Sequence, residues 1–322
     1  MDAGRGARAR GAALNRLERW WFAEESALPL AWIRIAVALG VVRALLATWW
    51  SGAGALVWYG VQDGGWSPAS PPGWSWVGGA GAAQVDRVVV GTVVGALGVA
   101  LGVGGPWFGR VLTFLVLQGF LAVVHLRGSL GGSSDELLSN ALWLLVVVDG
   151  SRTASWFARR SFGRWGASAT APRWARWLFL WQLVLMYTTT GWQKVSVHWV
   201  PWGPADALWL IAQQPTWQHA DATWLASWAP LLALATRGAW LWEVTAPLVL
   251  ALAVYDAAGR TRARHALWAW AAVGVAFHLG VAALLDIGAF SWASLALYPS
   301  LFAVPAERVR SRSAIKNANS SD

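Results

Sequence analysis

The stretch LPLAWIRIAVALGVVRALLATWW, residues 28–50, decides the fold. Its only charged groups are Arg34 and Arg43, set in an otherwise apolar run. A bilayer's hydrocarbon core of about 30 Å asks for roughly 20 residues of helix, so the run reads as a membrane span. The rest of the chain agrees. Its 322 residues are 57% hydrophobic and 13% charged, against about 45–50% apolar and about 25% charged in ordinary globular chains. A large soluble helical enzyme would have too few charges to cover so much apolar side chain.

Seven further apolar runs follow, at 88–105, 107–126, 136–149, 173–193, 238–256, 266–285 and 287–304. The expected fold is therefore all-α, a polytopic membrane helical bundle of about eight transmembrane helices. The segment GVGGPW predicts a tight hairpin between the second and third spans. Three regions are expected: a basic, partly disordered N-terminus (1–27), a single transmembrane domain (28–305) and a disordered tail (306–322). The mixed segment LERWWFAEES before the first span argues against a cleaved signal peptide.

Charge sets the orientation. With both termini cytoplasmic, the outer segments hold only Arg87, Arg127, Lys194 and Arg237 of the 25 lysines and arginines. Arg34 and Arg43 lie within the first span, and all the others fall inside. That asymmetry is what the positive-inside rule expects of a multi-pass protein of the cell (inner) membrane. It also explains the net charge of +9 without a nucleic-acid partner; the partner implied is the lipid bilayer. The outer loops, 51–87 and 194–237, are rich in Trp, Pro and Gly. Tryptophan favours the membrane–water interface, and PADALWLIAQQ in the second loop reads as a short amphipathic helix lying there.

The chain has no cysteine, which excludes disulfides, thiolate catalysis and zinc–thiolate sites. Its five histidines are scattered and form no HxxxH pair, so no metal site is expected. There is no Walker A, GxSxG or dinucleotide fingerprint. What remains are ionisable groups in or beside the spans, which are costly and usually partnered. Lys194, one of only two lysines, closes the fifth span. It reads either as a snorkelling interface anchor or as a partly desolvated amine, usable as a base. His198 shares its face if the helix continues. Glu243, on the outer half of the sixth span, needs a cation such as Lys194 or Arg237. His278 sits mid-span, an interhelical hydrogen-bonder or a site residue. Asp286 lies two turns on. Asp135 and Glu136 lie in the first turn of the fourth span, where capping is the ordinary reading and Arg127 is a neighbour.

Together these segments resemble the horizontally transferred transmembrane domain, a family related to vitamin K-dependent gamma-glutamyl carboxylase. LMYTTTGWQKVSVHWVPWGPADALWLI (185–211) resembles its signature helix and loop. FHLGVAALLDIGAFSWASLALYPSLF (277–302) resembles its late helices, and WEVTAPLVL (242–250) its acidic-then-Pro helix. VWYGVQDGG and GGSSDELLSNALWLLVVVD resemble its first outer loop and fourth helix. The resemblance covers most of 28–305 and the layout is that of the short bacterial type. It implies a site facing outward, with Lys194 as catalytic base, Glu243 and His278 lining the cavity, and Trp192, His198, Trp199, Asp135 and Asp286 binding substrate or cofactor. It also implies a reduced, vitamin K-like quinone as cofactor and a carboxylase- or lyase-like reaction on a peptide or lipid-quinone substrate. Two positions depart from the carboxylases: Gln193 stands where they have a second lysine, and SSDELL lacks their fourth-helix histidine. The other expectation from the short type is an accessory membrane component, without catalysis, in maturation, export or immunity of a small secreted peptide. A transporter is the weaker third reading, since no repeat halves stand out.

Overall fold

The computed structural model describes residues 15, 17–67, 74, 80–127, 132–166 and 169–304. The expected tail, 306–322, and most of the basic N-terminus lie outside these. The chain runs β1 (Glu24–Ser26), α1 (Leu28–Trp50), α2 (Ala53–Trp58), α3 (Ala82–Leu101), α4 (Gly105–Leu126), α5 (Ser133–Val147) and α6 (Trp156–Phe162). There follow β2 (Thr170–Pro172), α7 (Arg173–Gln193), α8 (Ala207–Ala212), α9 (Ala229–Val244), α10 (Leu248–Ala257), α11 (Thr261–Leu284) and α12 (Phe290–Leu295).

Among the described residues four helices are long and apolar enough to cross a membrane: α1, α3, α4 and α11. The segment ending in α9 and the following α10 make a fifth if taken as one bent span. Only 22% of the apolar stretch of α11 is buried inside the protein. Val90, Val94 and Leu97 of α3, Phe114 and Leu115 of α4, and Val273 and Leu279 of α11 all face outward. Apolar surface on that scale needs a cover, and helices of this length and composition mark a membrane protein.

Local sequence explains the breaks. The hairpin at GVGGPW forms as expected: Gly102, Gly104 and Gly105 all take positive φ (65°, 81° and 77°), which only glycine adopts cheaply, and Pro106 opens α4. Pro247 stands between α9 and α10, which meet at 62°; it lacks the N–H that would continue the helix. The run at 287–304 departs from the expected long span. It folds as the short α12 and a 3-10 turn, Tyr298–Leu301. Gly288 at φ 62° and Pro299 interrupt the helical ladder.

Two groups of helices pack side by side. In one, α3 lies along α1 and α4, and α4 along α5; in the other, α7 packs on α9, and α10 on α11. The segment α12 and the 3-10 turn sits between them, against α5, α1 and α7. Its Leu297 and Leu301 join Ile33, Val37, Phe179 and Leu180 in one apolar core.

One end of the bundle is closed by charge. β1 pairs antiparallel with β2, Glu25 opposite Ala171, so α1 and α7 start together. The buried Glu25 carboxylate accepts from Arg173 Nε at 2.7 Å and from Arg176 Nε at 2.7 Å. Arg176 Nη1 also donates to the Ser300 carbonyl at 2.6 Å. Ser26 N–H donates to the Val304 carbonyl at 2.9 Å, so the described chain begins and finishes at this end.

Candidate functional site

The opposite end carries the candidate site, where α7 stops. Lys194 leaves the helix with φ −80° and ψ 65°. The helix does not continue, so His198 leaves the Lys194 face. It pairs instead with Asp206, Nδ1 to Oδ1 at 2.7 Å, and that hydrogen bond holds the Asp206 carboxyl below its ordinary range. The expected amphipathic segment of this loop is helical as α8.

Lys194 turns toward α9. Its Nζ lies 2.6 Å from Glu243 Oε1 and 2.5 Å from Oε2. The same ammonium stands 4.4 Å from the centre of the Trp199 ring, a cation–π contact. The Lys194 side chain is 17% exposed and that of Glu243 4%. Trp240, three residues before Glu243, donates its indole N–H to the Lys194 carbonyl at 3.1 Å. The pair is thus held by main chain on one side and roofed by an aromatic ring on the other.

Gly191 makes this approach feasible. A Cβ there would stand 2.8 Å from Glu243 Cβ and 2.9 Å from the Val244 nitrogen. The last turn of α7 and the last turn of α9 therefore touch backbone to backbone. Gly191→Ala is expected to push the helices apart and cost about 1–3 kcal/mol, the usual range for overpacking. Thermal unfolding in detergent checks this, and an unchanged midpoint would count against the close approach.

A second cluster lies deeper on the same helix. Tyr187, about two turns before Lys194, places its hydroxyl 2.5 Å from His278 Nε2 and 3.0 Å from the Tyr298 hydroxyl. His278 is fully buried, and its Nδ1 has no hydrogen-bond partner. Trp242 packs edge-on to Tyr187 at 4.4 Å and stacks on Trp270 at 4.7 Å. The space beside Gly274 is filled by the Tyr298 hydroxyl and the Trp242 ring. Trp242 and Glu243 are neighbours in sequence, so one helical step joins the two clusters.

Two voids border this region. A cavity of about 230 Å³ is walled by Trp192, Trp202, Trp240, Val195 and Val200, with Lys194 at its edge. An apolar crevice of about 390 Å³ runs between α8, α9 and α11, with Trp242 and Phe277 on its wall.

Of the residues singled out in the sequence, Lys194, Glu243, Trp199 and Trp192 come together, and His278 lies on the adjoining layer. Asp135 does other work. It accepts from Arg127 Nη2 at 2.9 Å and from the Gly132 N–H at 3.0 Å, closing the start of α5. Asp286 is exposed past the end of α11, where its Oδ1 accepts from Gly288 N–H at 3.3 Å. Tyr187, Tyr298, Trp240, Trp242 and Gly191 were not foreseen. Tyr187 and Gly191 share a helix with Lys194 at spacings of seven and three, which places both near its face; the others come from distant segments. Among the described residues no group of three or more His, Asp or Glu is placed to hold a metal.

Chemically, the pair sets an amine and a carboxylate within hydrogen-bond distance across a short, largely buried gap, the geometry that proton transfer between two groups requires. The His278–Tyr187–Tyr298 chain, joined through the Tyr187 hydroxyl, can hold or relay a proton within the bundle. No family model matches this chain, and neither a curated protein nor a solved structure matches it.

Proposed function

We propose that this is an eight-pass protein of the cell (inner) membrane, of the horizontally transferred transmembrane type, its last pass made by the broken α12 and 3-10 segment, with cytoplasmic termini and an outward-facing proton-transfer site. Lys194 is the base, Glu243 is its proton partner, and the substrate is a reduced quinone or a peptide reaching the outer face. The observation that carries this is the Lys194–Glu243 pair itself: an amine and a carboxylate at 2.5–2.6 Å, mostly sealed from water, at the edge of a cavity. A site built only to anchor a helix at an interface would leave the ammonium in the headgroup layer. The return of the described chain to its starting end supports an even number of passes, and the positive-inside bias supports a cytoplasmic position for that end.

The cavity beside Lys194 fits a quinone. Its walls are aromatic and aliphatic, as a flat apolar ring requires, and one amine is present to meet an ionisable ring oxygen. A reduced quinone supplies reducing equivalents and an acidic ring hydroxyl. Lys194 accepts a proton at Nζ once its own has passed to Glu243. Trp199 holds the ammonium form in place, and Trp192, Trp202 and Trp240 give the cavity its aromatic walls.

The accessory reading also has an observation in its favour: the carboxylate engages the amine through both oxygens, as a structural latch would. One experiment separates the two. Lipid extracted from the purified protein is expected to contain a quinone, and Lys194→Ala is expected to lower its recovery by about tenfold, the loss of one charge-assisted hydrogen bond. If wild-type protein carries none and Lys194→Ala leaves the cellular phenotype intact, the catalytic reading fails and the accessory one stands.

A further inference from the structure

The end of the bundle opposite Lys194 carries a cationic cleft that the proposed reaction does not use. Arg34 lies in the second turn of α1, buried to 4% exposure. It makes no ion pair among the described residues. Its Nη1 donates to the Gly150 carbonyl at 2.8 Å, and its Nη2 to those of Ala154 at 2.6 Å and Ala100 at 3.2 Å. Its Nε–H is buried with no partner. Arg110, in the second turn of α4, lines the same cleft, and its Nε is likewise buried and unpartnered.

The acid in this cleft is already engaged. Asp149 Oδ1 accepts from the Ser151 N–H at 2.9 Å and the Ser151 hydroxyl at 2.7 Å. Its Oδ2 accepts from Arg152 Nε at 2.7 Å. Asp149 is the one carboxylate among the residues lining this cleft, where it stands with Arg34 and Arg110, and it also holds Arg152, so a single acid serves three guanidinium groups and positive charge is left in surplus. A buried charge that cannot shed its proton needs a counter-ion. The enclosed part of the cleft, about 20 Å³, admits one oxygen-sized atom. The ligand must therefore insert a single oxygen and keep its bulk outside. Outside, Trp107 and Phe114 stand three before and four after Arg110 on α4, both exposed (78% and 40%), and Leu101 is exposed across the hairpin. An apolar shelf thus adjoins the cationic opening at the end of membrane-spanning helices.

We propose that this cleft binds the phosphate of an anionic membrane phospholipid, one phosphate oxygen reaching the Nε–H groups of Arg34 and Arg110 and the acyl chains lying along Trp107, Phe114 and Leu101. Guanidinium groups suit phosphate because their fixed donors match its oxygens, and basic pockets between membrane helices hold lipid headgroups by this chemistry.

The test uses the whole protein in nanodiscs of phosphatidylcholine, with and without phosphatidylglycerol, for wild type and Arg110→Gln. Phosphatidylglycerol is expected to raise the melting temperature of wild type, and Arg110→Gln is expected to bind it about tenfold more weakly. Arg110→Lys, which keeps the charge and loses the fork, is expected to fall between. Should Arg110→Gln fail to fold, lipid extracted from wild type decides: anionic phospholipid retained through detergent washing supports the site, and its absence overturns it. The proposal is also overturned if phosphatidylcholine alone gives the same shift, if Arg110→Gln keeps it in full, or if millimolar inorganic phosphate reproduces it, which would mark a free-anion site.

Discussion

Glu25→Ala is expected to be the most damaging single substitution in the molecule, costing about 3–5 kcal/mol, the range for removing one partner of a buried ion pair. The carboxylate holds Arg173 and Arg176, and Arg176 is 3% exposed. Arginine cannot relieve its burial by losing a proton. Removing Glu25 therefore leaves two cations at the junction of β1, α7 and the 3-10 turn, and Arg176 keeps only the Ser300 carbonyl. Urea or thermal unfolding in detergent measures the loss. A change below about 1 kcal/mol, the ceiling for an exposed pair, would show that the junction is wet and does not close the bundle.

The Lys194–Glu243 pair is expected to respond differently, because both its partners can neutralise. Glu243→Ala leaves an amine that can release its proton, and Lys194→Ala leaves a carboxyl that can take one up. Each single substitution is expected to cost about 2–4 kcal/mol, somewhat less than a pair locked in charge. The double replacement Lys194→Met with Glu243→Leu keeps volume and removes both charges, so its stability should return to within about 1 kcal/mol of wild type. Function separates the roles. If Lys194 is a base, the double variant is stable and inactive; if the pair is a latch, it is stable and active. The double-variant cycle also gives the coupling energy directly. A coupling near zero would mean that the two groups do not meet in the membrane-embedded protein.

Much of the helical layout was legible because a bilayer imposes one rule on any segment that crosses it. Residues 28–50 match α1 end for end as a helix of membrane-spanning length and composition, 173–193 match the bounds of α7, which is helical but less apolar than the four long helices, and the hairpin at GVGGPW falls where three glycines and a proline demand it. The last run, 287–304, misled. Its composition is that of a span, but hydropathy does not register one glycine at positive φ or one missing N–H, and these divide it into α12 and a 3-10 turn. The sixth run misled in a milder way: Pro247 lies inside it, and the helix bends there by 62°.

The site was legible one residue at a time and not as an arrangement. Lys194, Glu243 and His278 stand out because ionisable groups in apolar runs are rare. Asp135 and Asp286 stand out for the same reason, yet Asp135 is consumed by Arg127 and a helix start, and Asp286 by a turn. Tyr187, Tyr298 and Trp242 carry no charge and could not be told from ordinary core aromatics.

The sequence by itself determined the solvent, the spacing of the long apolar helices and the short list of costly charges, since each follows from transferring local groups out of water. Which charges meet was decided by tertiary structure. Gly191 lets α7 touch α9 closely enough for Lys194 to reach a carboxylate 49 residues away, and Trp199 folds back over it from a loop without regular periodicity. Contacts between segments so far apart depend on how close two backbones can come, and packing sets that distance.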